Sequence, residues 1–148
     1  MIRTHLLLGA AAVALAACQP ESSPAPPATP APPADACAIA DGALDDAAFV
    51  IATAPAAGAR VSSGFAVEGC SRTFESTVVW RLLARDGSVL AQGTTQGGGV
   101  DGRGPFAFAV PYVVAARQIG HLGVFEEDAS DGEGFPPGRT VVPLVLQP

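Results

Sequence analysis

A run of carboxylates, one histidine beyond the N-terminal residues and three cysteines are the side chains here whose types and spacing could do chemistry. Glu126, Glu127, Asp128, Asp131 and Glu133 fall within eight residues, with Ser130, Gly132 and Gly134 among them. That is a loop of hard oxygen donors, the kind of ligand calcium takes. The spacing does not match a helix-loop-helix calcium site, so Glu126, Asp128, Asp131 and Glu133 stand as calcium candidates beside the plainer reading of a solvated acidic turn. A glycosidase-like carboxylate pair could be drawn from the same loop, and carboxylates alone would then carry the reaction. His121 sits between Gly120 and Leu122, and the chain has no Gly-x-Ser-x-Gly turn to supply a nucleophile, so a serine triad is not expected. One histidine cannot make a zinc site by itself. No catalytic residue is assigned on these grounds, and no cofactor.

The cysteines depend on where the chain resides. Arg3 precedes Leu6 to Ala17, twelve residues without a charged or strongly polar side chain. A membrane span needs about 20 apolar residues, whereas the core of an export leader needs about 7 to 15. The run ends in Leu15-Ala16-Ala17-Cys18, which resembles the lipobox of bacterial lipoproteins, and that resemblance implies cleavage before Cys18 and acylation of its sulfur. Two or more acyl chains anchor a protein stably where one does not. Gln19 follows, and by analogy with Gram-negative sorting a residue other than aspartate there implies the outer membrane, facing the periplasm, over the inner one. In an exported chain the two remaining cysteines, Cys37 and Cys70, are expected to form a disulfide. A reactive or metal-binding thiol pair is the alternative. Closing that loop of about 34 residues is worth roughly 3.5 to 4 kcal/mol in the chain-entropy account.

Composition sets further limits. All eight positive side chains are arginines, the chain has no lysine, and the net charge is −6. A Walker-type phosphate loop requires its lysine, and a nucleic-acid surface requires the opposite sign of charge, so both are excluded. Residues Gln19 to Ala36 hold seven of the fourteen prolines, spaced by Ala, Ser and Thr. Such a segment cannot build a core and is biased toward extended polyproline II, reaching on the order of 50 Å as a tether. The organisation expected is therefore a leader over 1–17, a lipidated cysteine and linker over 18–36, and one domain over 37–148.

From Phe49 onward short apolar stretches recur between Gly, Pro, Asp and Ser, with no sustained helical spacing, which predicts an all-β fold. About seven strands are expected: Phe49 to Thr53, Phe65 to Cys70, Ser76 to Arg85, Ser88 to Thr95, Phe106 to Val113, Ile119 to Glu126 and Thr140 to Leu146. That number with regular turn signals suggests a sandwich. Val78, Trp80 and Leu82 alternate with Thr77, Val79, Arg81 and Leu83, so Trp80 should anchor the core. Asp86-Gly87 reads as a two-residue hairpin turn. Phe106, Phe108 and Val110 should point inward, and Pro143 should turn its missing amide toward a sheet edge. Cys70 falls on the Glu68 side of its strand, opposite Phe65 and Val67, so a bond to Cys37 would staple the N-terminal segment to the outside of the sandwich. Gly97 to Gly104 has five glycines in eight residues and reads as a mobile loop.

Several groups of residues together carry a resemblance to a known family. Pro55 and Gly58 ahead of Val61, Gly69, Phe74-Glu75-Ser76-Thr77-Val78, Asp86-Gly87, Gly104-Pro105-Phe106, and Phe125-Glu126 followed by Ser130-Asp131-Gly132 occur in that order. Over about Phe49 to Leu146 the chain resembles the Gmad2 immunoglobulin-like domain, found in spore-germination proteins and bacterial envelope lipoproteins. The resemblance implies an immunoglobulin-like β-sandwich at the cell envelope and no catalytic residues. The function expected is a non-catalytic, lipid-anchored module that binds another envelope protein. The alternative is binding of envelope polysaccharide or peptidoglycan, for which Tyr112 and Phe135 are the candidate aromatic platforms.

Overall fold

The computed structural model describes residues 36–38, 47–128 and 138–148. Cys18, Asp131, Glu133 and Phe135, on which the lipid, calcium and glycan expectations partly rest, lie outside the described residues. Among the described residues eight strands form: β1 (Phe49–Ala54), β2 (Arg60–Val61), β3 (Phe65–Arg72), β4 (Thr77–Leu83), β5 (Val89–Gln96), β6 (Gly104–Val110), β7 (Gln118–Phe125) and β8 (Arg139–Leu146). They make a three-stranded sheet in the order β1-β3-β6 and a five-stranded sheet in the order β2-β8-β7-β4-β5. Among the described residues no helix is long and apolar enough to cross a membrane.

Strand β2 is the element that sequence periodicity missed. Two residues are too few to show an alternation, and Arg60 and Val61 join the sheet by running parallel to Val145 and Leu146. Pro143 lies just beyond that short pairing. Its carbonyl accepts from the Gly58 amide at 2.8 Å, so its own nitrogen also faces away from β7, on the side where a ladder amide is not required. The strand is therefore not a bare edge, but proline occupies a position that β2 leaves unpaired.

The core follows the alternation read from sequence. Val78, Trp80 and Leu82 of β4 and Leu122 and Val124 of β7 face Val67 of β3 and Phe106, Phe108 and Val110 of β6, all buried in one cluster. Fully burying side chains of this size contributes roughly 1.5 to 3 kcal/mol each. The Trp80 ring stacks on Phe108 with centroids 5.0 Å apart, and on its other side it fills the space where Gly93 has no side chain. A Cβ at Gly93 would come within 2.7 Å of the indole, so the wide ring and the glycine one strand away belong together.

The hairpin after β4 differs from expectation. The Gly87 amide donates to the Ala84 carbonyl and the Ala84 amide donates to Ser88, which makes a three-residue loop of Arg85, Asp86 and Gly87. Only Gly87 has positive φ, at 85°, as in a type I turn closed by a glycine bulge. Asp86 uses its carboxylate instead of a left-handed backbone, accepting from the Ser88 amide and hydroxyl at 3.0 and 2.7 Å.

Cys37 and Cys70 are bonded, with Cα atoms 4.9 Å apart and a sequence separation of 33. Cys70 is on the central strand of the three-stranded sheet and is fully buried, yet it is not part of the cluster between the sheets. The bond therefore fastens Cys37 to the outer side of β3, as the position of Cys70 on the Glu68 side implied.

Candidate functional site

A concavity lies on the outer face of the five-stranded sheet. Strand pairing lines up Arg81, Gly123 and Val141 in one row across β4, β7 and β8. Leu83, His121 and Pro143 form the row on one side, and Val79, Phe125 and Arg139 the row on the other. Because Gly123 has no side chain, the middle row has a gap between the Arg81 and Val141 side chains. The result is a groove of about 310 Å³, walled by Leu83, Phe125, Val141 and the arginines, and closed at one end by Glu126, Glu127 and Asp128. The Arg81 guanidinium lies over the Phe125 ring, 5.7 Å from its centroid, a contact that holds a cation over a π face. Arginine and aromatic side chains on a wide, half-open face are the residues that anchor protein contacts.

His121 is exposed in this groove, and its strand neighbours Leu83 and Pro143 carry no group that could orient or share a proton with an imidazole. It is a surface histidine on a strand, consistent with the sequence reading. Glu126 has a structural partner: its carboxylate accepts the backbone amide of Phe74. Among the described residues no three His, Cys, Asp or Glu side chains gather as a metal site. Of the four calcium candidates, Glu126 and Asp128 line the end of the groove, and Asp131 and Glu133 fall outside the described residues.

Three loops meet at that end of the sandwich. Thr73, on the loop after β3, donates its amide to the Gly98 carbonyl at 3.0 Å, and its neighbour Phe74 reaches Glu126. Farther along the same loop, Ser76 accepts the Gly97 amide at 2.9 Å and has a positive φ of 56°. Backbone held in that region costs of order 1 to 3 kcal/mol and marks a loop fixed by its surroundings. Glu126, at the start of the acidic segment, and the glycine-rich segment are thus linked through the β3–β4 loop, where the Phe74 side chain is left 72% exposed.

The glycine-rich segment is not the free loop its composition suggested. A Cβ at Gly98 would lie 2.1 Å from the Gly104 nitrogen and 2.3 Å from the Ser71 carbonyl, and one at Gly97 would strike the Ser71 hydroxyl. Gly99 and Gly102 pair as an isolated bridge, and Arg72 donates to the Val100 carbonyl at 3.2 Å. These glycines permit close backbone approach, leaving Val100 and Asp101 as an exposed tip.

Tyr112 also departs from expectation. Its hydroxyl, with one proton to donate, lies 2.7 and 2.9 Å from the Val61 and Gln147 carbonyls and accepts the Gln147 amide at 3.1 Å, and the ring is buried. It ties the segment after β6 to β2 and to the chain following β8, so it offers no platform to a sugar. Arg81, Gly123, Arg139 and Val141 were not singled out from sequence. Alternation places Arg81 and Phe125 on outward faces, but only the strand order brings them together.

Residues 49–133 match the family model for Gmad2, the immunoglobulin-like domain of bacterial spore germination. The chain belongs to the Gmad2 family. The match stops short of β8, which in this Gmad2 domain completes the five-stranded sheet between β2 and β7. No curated protein matches the chain. Among solved structures it is similar to CopC from Methylosinus trichosporium OB3b, at 15% identity and a TM-score of 0.42, over 69% of this chain and 95% of that one.

Proposed function

We propose that this Gmad2 domain is a non-catalytic, lipid-anchored module of the bacterial cell envelope that holds a partner protein against the outer face of its five-stranded sheet. The observation that carries the reading is the groove over Gly123, where Arg81 and Phe125 are stacked at the centre of a face with Arg139 on one side and an acidic rim at the end. A typical partner covers about 800 Å² of each protein, so the contact would spread from this groove to the loop end beside Phe74. Acylated Cys18 and the proline-rich tether would set the domain at a distance from the membrane that carries it.

The full chain expressed in bacterial cells tests both parts. The unaltered chain should take up radiolabelled palmitate in a membrane fraction and Cys18→Ser should not, and equal labelling of the two would contradict the anchor. Arg81→Glu should lose a partner that copurifies with the unaltered chain, whereas Val113→Glu, at the opposite end of the sandwich, should keep it. Equal recovery with both variants would contradict the groove. Burial of Tyr112 removes one of the two aromatic platforms that a polysaccharide reading relied on, and the protein reading is the stronger for it.

A further inference from the structure

Strand β5 forms one edge of the five-stranded sheet, and its sequence Val-Leu-Ala-Gln-Gly-Thr-Thr-Gln contains neither a charge nor a proline. Edge strands ordinarily carry such residues, because an unpaired row of amides and carbonyls is a template for another strand. The other edges are guarded. On β1 the Val50 carbonyl takes the Thr140 hydroxyl, β2 has only two residues, and β6 carries Pro105 and gives its Ala107 carbonyl to Thr95.

The phase of β5 follows from one bond. The Gly97 amide points to β4, donating to Ser76, so by strand alternation Gln96, Thr94 and Gln92 turn their amides and carbonyls away from β4. The side chains of these three residues are exposed on the outer face. They read Gln, Thr, Gln in either direction. An antiparallel copy of the same strand therefore sets glutamine opposite glutamine and threonine opposite threonine, the polar cross-strand pairs that favour a ladder. The chain has a net charge of −6, and β5 itself adds no charge that would oppose the approach of a second copy. The register shift at Leu82/Leu83 ends the regular edge near Ala91, which confines the pairing to the segment holding these three residues.

We infer that β5 pairs antiparallel with β5 of a second copy of this chain across a two-fold axis, with Thr94 opposite Thr94 and Gln92 opposite Gln96. This joins the two five-stranded sheets into one. The contact uses the sheet edge and is independent of the groove and of the anchor.

Cysteine cross-linking of the full chain in bacterial cells tests it, with diamide as the oxidant of the thiol pair. Hydrogen-bonded antiparallel pairs have Cα atoms about 5.5 Å apart, within disulfide reach. Thr94→Cys should give a reducible dimer on non-reducing electrophoresis. Gln92→Cys alone should give none, but should cross-link to Gln96→Cys when the two are co-expressed. Val113→Cys, on an 88% exposed residue elsewhere, reports random collision. No dimer from Thr94→Cys, equal dimer from Thr94→Cys, Gln92→Cys and Val113→Cys, or a product joining Thr94→Cys to a different protein would each overturn the inference.

Discussion

The backbone amide of Phe74 donates to the Glu126 carboxylate across 52 residues of sequence, and this bond brings the loop after β3 to the start of the acidic segment. Thr73, one residue earlier, bonds the glycine-rich segment, so two loops far apart in sequence share one end of the sandwich. The acceptor is a carboxylate, but the bond is open to water, with Phe74 exposed and Glu126 half-buried. Glu126→Ala should therefore cost only about 0.5 to 1.5 kcal/mol in denaturant unfolding, and Glu126→Gln, which keeps an acceptor, less. Loss of more than that, or equal loss from both, would show that Glu126 does something beyond holding this loop.

The Cys37–Cys70 bond should dominate the stability of the segment ahead of β1. Replacing both cysteines by serine should lower unfolding free energy by about 2 to 5 kcal/mol, and the unaltered oxidised protein should show neither residue as a free thiol after denaturation without reductant. Free Cys37 and Cys70 in that titration would contradict the bond.

Glycines at the loop end and in the hairpin should respond differently to the same change. Gly98→Ala places a methyl group against backbone atoms of Gly104 and Ser71, which cannot rotate away, so a loss of about 1 to 3 kcal/mol is expected. Gly87→Ala meets open space but keeps a φ of 85°, and should lose about 1 to 2 kcal/mol through backbone conformation alone. A Gly98→Ala protein as stable as the unaltered one would restore the mobile-loop reading.

These contrasts show where sequence reading succeeded and where it stopped. The alternation of Val78, Trp80 and Leu82 and of Phe106, Phe108 and Val110 is a local signal, and it gave the core and the all-β class correctly. Composition could not distinguish glycines that free a loop from glycines that let two backbones touch, because the difference lies in Ser71 and Gly104, not in the loop. Tyr112 looked available because its partners, the carbonyls of Val61 and Gln147, are remote in sequence. The groove was hidden for the same reason: it requires β7 between β4 and β8, and no periodicity encodes strand order.

Asp86 should be the acid-sensitive residue of the β4–β5 hairpin. The Ser88 hydroxyl and then the Ser88 amide bond its carboxylate, holding its pKa below the ordinary 3.8. A lowered folded-state pKa stabilises the hairpin above the unfolded value, and that contribution is lost as pH falls through the folded value. An NMR titration should place the Asp86 midpoint below that of the unfolded chain, and Asp86→Asn should remove this step from the acid dependence of amide exchange in Ser88 and Val89. A midpoint at or above the unfolded value would contradict the bonding.

Site-specific photo-cross-linking of the full chain in living cells, with the probe at Val141 in the groove or at Val113 at the far end, reads out whether the groove holds a protein. A discrete adduct with another envelope protein is expected from Val141 and none from Val113. No adduct from Val141, or the same adducts from both positions, would contradict a partner-binding groove on the outer face of the five-stranded sheet.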